Sequence, residues 1–150
     1  MTADGVEPQH PGSVAPTLRT VVDNQRQRNL AVVRRAFAGI AAGSAEQMLV
    51  ANYTDDMVLE LPYASPPSVI EGKDRALKYL TAAFGMFRFS LEITEVHECL
   101  DPDRLVLEYT SEGRVLTSGK PYANRYIGVY WFHDGRIAKV REFYNPAALS

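Results

Sequence analysis

Apolar residues recur every three or four positions over 23–43, where Leu30, Val33, Phe37 and Ile40 share one stripe. This spacing predicts an amphipathic helix, and Gly43 is placed to end it. Ser44 followed by Gln47 is a capping-box pattern, so a second, short helix is expected in SAEQMLVANY, folded back on the first as a hairpin. The period then shortens. MVLEL and SVIEG read as strands on either side of the proline-rich loop PYASPP, and 73–84 returns to helical spacing through Leu77, Leu80 and Phe84, with Gly85 as its stop. Everything after that reads as sheet. FSLEITEVHECL, RLVLEYTSEGRVL, YANRYIGVYWF and RIAKVREFY are β-rich runs separated by DPDR, TSGKP and HDGR, which suit turns.

Helices first and long strands last, without βαβ alternation, predict an α+β domain. The expected architecture is a curved antiparallel sheet with three N-terminal helices packed on one face, leaving a conical central cavity between the layers. Residues 1–22 hold Pro8, Pro11 and Pro16 and few large apolar side chains, so they are expected to be a flexible tail, with the domain over 23–150.

Composition narrows the partners. With 16 Lys+Arg against 18 Asp+Glu the formal charge is −2, which offers no general attraction for nucleic acid or an anionic membrane. A single cysteine, Cys99, cannot form an internal disulfide, and the first residues lack the basic start and apolar core of a signal peptide. No apolar run reaches membrane-spanning length, so a cytoplasmic chain is expected. His10, His97 and His133 are scattered without metal-ligand spacing, and no Gly-rich loop leads from a strand into a helix. Neither a metal nor a nucleotide cofactor is therefore expected.

The chemistry is concentrated in the final strand. In RIAKVREFYN, strand alternation puts Ala138, Val140, Glu142 and Tyr144 on one side and Lys139, Arg141 and Phe143 on the other. The two cations mark the wet side, so Glu142 points toward the helices. A carboxyl in apolar surroundings is harder to ionise and becomes suited to exchanging protons near neutral pH. The structural alternative is an ion pair or a solvated strand end. The preceding run aligns Tyr122, Asn124, Tyr126, Tyr130 and Phe132, with Gly128 opening a gap among them. These residues form either an aromatic cavity wall or a tyrosine-rich surface used for dimerisation. Glu60 alternates away from Leu59 and Leu61 and is expected in solvent, while Tyr63 and Ser65 are placed in the loop at a cavity rim.

Three stretches carry a family resemblance: YTDDMVLELP, IEGKDRALKYL and DGRIAKVREFYNP. They are similar to the SnoaL-like branch of the nuclear transport factor 2-like superfamily, a cone-shaped α+β fold that includes ketosteroid isomerase, polyketide cyclases, scytalone dehydratase and limonene epoxide hydrolase. YANRYIGVYWFHDGRIAKVREFYN most resembles the phenazine-biosynthesis A/B proteins through its Tyr-x-Asn pair, Asp-Gly hairpin and Arg-Glu-Phe ending. The resemblance implies an acid/base role for Glu142 and a cavity position for Tyr122. Tyr122 is then expected to act in catalysis, by hydrogen-bonding the developing oxyanion or positioning the substrate, with Asn124, Tyr126, Tyr79, Leu61 and Tyr144 shaping the substrate site. It also implies a homodimer and a cofactor-independent isomerisation, cyclisation or dehydration of an apolar cyclic or carbonyl-containing small molecule. The chain departs from its models in places. Tyr79 and Ala83 stand where the phenazine proteins carry His and Ser, and Leu61 precedes Pro62 where ketosteroid isomerase has its Asp. No Asp-Arg-Asp set like that of the epoxide hydrolase is found, and Arg125, on the parity opposite to Tyr122, is not assigned to the cavity. A non-catalytic binding or scaffold protein of the same fold is the competing reading.

Overall fold

The computed structural model describes residues 17–149. The proposed tail falls mostly outside them, but its last residues are helical: α1 runs Leu18–Ala41, opened by the Thr17 hydroxyl accepting from the Thr20 amide. The buried face of α1 carries the expected Val33, Phe37 and Ile40, together with Val32 and Ala36. Its N-terminal half is tied to the far end of the sheet by polar groups. Asn29 donates to the Pro102 carbonyl and to Asp103, each at 3.1 Å, and Arg26 donates to the Cys99 carbonyl at 2.8 Å. Arg26 thus anchors α1 to the sheet.

Gly43 adopts φ 70°, the left-handed conformation that ends α1, and α2 follows at Ala45–Leu49. The Ser44 hydroxyl accepts from the Gln47 amide at 3.0 Å, as the capping pattern requires. The hairpin closes tightly because Gly39 has no side chain. A Cβ there would come within 2.4 Å of the Met48 amide nitrogen.

Strand β1 (Tyr53–Leu61) leads through the loop to β2 (Ser68–Glu71), and α3 (Lys73–Met86) crosses back over the sheet. Gly85 does not stop this helix: it lies inside the last turn, and the extended backbone of Phe87 ends it. Strands β3 (Phe87–Glu98), β4 (Arg104–Val115), β5 (Pro121–His133) and β6 (Arg136–Tyr144) form the expected meander, followed by a 3₁₀ turn at Pro146–Leu149.

Two features of the expected sheet are corrected. The strand order is β2-β1-β6-β5-β4-β3, and β1 runs parallel to β6, so the sheet is mixed rather than antiparallel. The four-strand meander brings β6 back in the direction already taken by β1, and the two pair through Leu59 and Val140. The cone is also not formed. β2 and β3 are opposite edges that do not pair with each other, and the sheet stays an open layer with the helices on one face. Among the described residues no helix is long and apolar enough to cross a membrane.

Replacing Gly39 by Ala drives a methyl group into the backbone of α2. We expect a loss of about 1–3 kcal/mol, read by urea denaturation, with the helical circular dichroism signal retained at low denaturant.

Candidate active site

Between the helices and the sheet lies a cavity of about 180 Å³, and ten of its twenty lining residues are aromatic. Strict alternation builds its floor. Along β5 the inward residues Tyr122, Asn124, Tyr126, Gly128, Tyr130 and Phe132 are buried, while Ala123, Arg125, Ile127 and His133 are exposed. The tyrosines therefore form an inner wall rather than an outer surface. Leu61 and Val140 fill the floor beside them, and α3 supplies Leu80, Ala83 and Phe84. Tyr79, also on α3, and Leu149 are the lining residues exposed to solvent, and they mark the mouth.

Glu142 enters this wall from β6. The alternation that places it survives a local fault: Phe132 pairs with Ile137 and Trp131 with Lys139, which leaves Ala138 as the extra residue of a bulge. Ile137, not Ala138, is consequently the buried residue there, and regular alternation resumes from Val140 through Glu142 to Tyr144. The cations go to the other side. Lys139 and Arg141 hold Glu60 at 3.0 and 2.6 Å, and both lie over the Trp131 ring. Glu60 is thus half-buried and ion-paired, and the Arg141 hydrogen bond foremost holds its carboxyl below the usual range. Tyr63 packs on Phe143 of this outer face, with 5.4 Å between ring centres, and neither Tyr63 nor Ser65 lines the cavity.

The immediate partner of Glu142 is Tyr109, which was not singled out in the sequence. Its hydroxyl donates to Glu142 Oε2 at 2.5 Å and lies 3.1 Å from the hydroxyl of Tyr130. Tyr109 sits on β4 opposite Tyr126, so it must reach past β5 to meet β6. Gly128 makes the reach possible. It pairs with Glu142 on one side and Leu107 on the other, and a Cβ there would come within 2.7 Å of the Tyr109 hydroxyl and 2.6 Å of the Tyr130 ring. The signal that could have found Tyr109 was the alternation Leu105, Leu107, Tyr109, Ser111 on the strand next to the tyrosine wall.

Desolvation raises the pKa of Glu142, and the hydrogen bond from Tyr109, which favours the ionised form, opposes this. The phenols around it are pushed upward, first by burial and, for Tyr53, Tyr79 and Tyr144, next by charges that include Glu142. They remain protonated donors across the physiological range.

A second polar chain runs under the opposite end of β5. The Asn124 amide donates to the Tyr122 hydroxyl at 3.3 Å, Tyr122 and Tyr126 hydroxyls lie 2.9 Å apart, and Tyr126 donates to Ser111 at 3.0 Å. Asn124 is not on the cavity wall. Its amide nitrogen also donates to the Asn145 carbonyl and its oxygen accepts the Asn145 and Arg125 amides, so it clamps the end of β6 to β5. Tyr122, Tyr126, Tyr79, Leu61 and Tyr144 all line the cavity with Glu142. On an exposed part of the sheet, Glu95, His97 and Glu108 hold ligand-capable atoms within 4.8 Å of one another. This grouping spans two strands, which hid it from sequence spacing.

Two outcomes follow from this geometry. Gly128→Ala should displace the Tyr109 hydroxyl from Glu142 and cost about 1–3 kcal/mol of stability, measured by thermal unfolding. For the raised carboxyl, the folded state holds a proton that the unfolded chain has already released. Wild-type stability should therefore fall, relative to Glu142→Gln, as pH rises from the ordinary carboxyl value of about 4.3 through the raised folded value. Urea denaturation of both proteins between pH 4 and 8 measures this difference.

The SnoaL-like domain family matches residues 33–140. An uncharacterised PhzA/B-like protein of Pseudomonas aeruginosa is 31% identical over 91 residues, 59% of this chain and 64% of that protein, so the match spans less than two thirds of the relative. The crystal structure of a proposed isomerase from Bacillus subtilis superposes with a TM-score of 0.77 at 26% identity, covering 83% of this chain and 91% of the other. A proposed polyketide cyclase from Xanthomonas campestris shares the fold, with a TM-score of 0.72 at 20% identity over 83% and 96% of the two chains. With the family pattern running from the middle of α1 to Val140 in β6, the chain belongs to the SnoaL-like domain family.

Proposed function

We propose that this protein is an acid/base enzyme that moves a proton on a mostly apolar cyclic or carbonyl-containing small molecule, with Glu142 as the shuttle. The observation that carries this reading is a carboxyl held by a buried phenol in the wall of an aromatic cavity. Solved structures of this fold described as a proposed isomerase and a proposed polyketide cyclase support it at the level of reaction class.

The chemistry uses the chain's own side chains. The Glu142 carboxylate takes a proton from a carbon next to the substrate carbonyl, and the C–H electron pair becomes the C=C bond of an enolate whose oxygen carries the charge. The carboxylic acid then returns the proton. Return at a different carbon is isomerisation, attack of the enolate carbon on a second carbonyl is cyclisation, and expulsion of a hydroxyl protonated to water is dehydration. Tyr109 fixes Oε2, which leaves Oε1 as the basic atom for the substrate. A positioned base of this kind contributes roughly 10²–10⁴-fold to rate. Orientation within the aromatic wall and stabilisation of the enolate oxygen supply the remainder.

A binding protein without turnover is the second reading. It is favoured by one observation: among the described residues Glu142 is the single carboxyl on the wall, with no Lys, Arg or His beside it. Deuterium incorporation next to the carbonyl of 2-tetralone in D₂O, followed by NMR, separates the two. We expect the wild type to accelerate exchange above the buffer rate and Glu142→Gln to lose at least about 10²-fold of that acceleration, with binding kept. Exchange at the buffer rate in a wild type that binds the ketone would instead support the second reading.

A further inference from the structure

Each phenol has one proton to give, and the hydrogen bonds show where several of them go. Six tyrosines line the cavity. Tyr109 spends its proton on Glu142, so in the 3.1 Å contact with Tyr109 the donor is Tyr130. Tyr126 spends its proton on Ser111, so in the 2.9 Å contact between Tyr122 and Tyr126 the donor is Tyr122. Tyr122 is therefore committed: it receives from Asn124 and gives to Tyr126. Among the described residues, the hydroxyls of Tyr53, Tyr79 and Tyr144 have no hydrogen-bond partner. Tyr53 is only 3% exposed, whereas Tyr79 at the mouth is 42% exposed and Tyr144 is part-buried two residues beyond Glu142 on the same face of β6. Tyr79 and Tyr144 line the cavity together with Glu142, and of the three phenols these two are the ones with surface open to solvent, where an entering ligand meets them.

The charge of the wall is equally selective. Among the described residues no cation lines it, and the two cations of β6 are turned to the other face and tied to Glu60. An anionic ligand would sit beside the Glu142 carboxyl with nothing to offset its charge, which disfavours both its binding and the ionisation of the base. The cavity is also small. At about 180 Å³ it falls below the roughly 300–1,000 Å³ of sites for drug-sized ligands, which suits a molecule of one or two rings.

We propose that the cavity takes an uncharged one- or two-ring ketone whose carbonyl oxygen accepts hydrogen bonds from Tyr79 and Tyr144. These two phenols, rather than Tyr122, hold the negative charge that forms on that oxygen when Glu142 removes the neighbouring proton. This assignment rests on the acid/base reading above for its catalytic half only. Its binding half is independent of turnover.

The test uses 2-tetralone as the uncharged probe and 2-naphthoate as the anionic one, with NMR titration and deuterium exchange on the full chain. The Tyr→Phe changes keep the ring, and at Tyr79 and Tyr144 they break no internal hydrogen bond. We expect Tyr79→Phe and Tyr144→Phe each to weaken 2-tetralone binding about three- to tenfold and to lower the exchange rate at saturation at least about tenfold. Tyr122→Phe should cost less than either of these changes, Tyr63→Phe on the outer face should change both by less than about twofold, and 2-naphthoate should bind the wild type at least about tenfold more weakly than the ketone. Equal losses in Tyr122→Phe and Tyr79→Phe, equal binding of the two probes, or no binding of 2-tetralone would overturn the proposal. Exchange that depends on Glu142 but is indifferent to Tyr79 and Tyr144 would also overturn it while leaving the acid/base reading intact. Binding that follows the expected pattern without exchange would uphold the donor assignment and remove the acid/base reading.

Discussion

The hydroxyl of Tyr109 reaches Glu142 through the space left by Gly128, and the cavity's character depends on that one contact. A carboxyl in an apolar wall is expensive to ionise, and a short bond from a buried donor offsets part of that cost. The donor is not the β5 residue paired with Glu142, which is the glycine. It comes from the strand beyond, with the Tyr109 ring stacked on Tyr126 at 5.0 Å and tilted against Phe37 of α1 at 5.1 Å. Three layers of aromatic packing thus aim one proton at one oxygen.

β6 divides its charges between its two faces. The inner face presents Val140, Glu142 and Tyr144 to the aromatic wall, while the outer face gathers Lys139, Arg141, Glu60 and Trp131 into a compact polar cluster. Had either cation been on the inner face, Glu142 would be an ion pair, with its carboxyl held low and its basicity lost. Glu60 is that outcome realised next door: the carboxyl is of the same kind, but it is bound by two cations and easily ionised. The separation follows from the two-residue repeat of a strand and is preserved because the bulge at Ala138 lies before Val140 and not after it.

Local periodicity carried most of the fold. The helical stripe of α1, the cap at Ser44, the short strands around the proline-rich loop and the four-strand meander could each be read from residues a few positions apart. What could not be read was pairing between distant segments. The parallel partnership of β1 with β6 leaves no local signal in either strand, and an antiparallel sheet was the natural expectation without it. The Gly85 stop was overridden by tertiary context, since the helix continues through it into the strand. At the site, the parity of Glu142 and of the β5 tyrosines was legible because alternation there is regular. Tyr109 was missed because its importance lies in register across two strands, and Asn124 was misplaced because its partners belong to the turn after β6.

The pairing of β1 with β6 also bears on when the protein becomes a protein with a site. Glu60 and Arg141, which meet across that seam, are 81 positions apart in the chain. During synthesis β1 emerges early, and its inner edge must wait, uncovered, until the meander has been made and β6 can dock. Glu142 travels on that late strand, so the carboxyl and its cavity come into being together, in the step that completes the sheet.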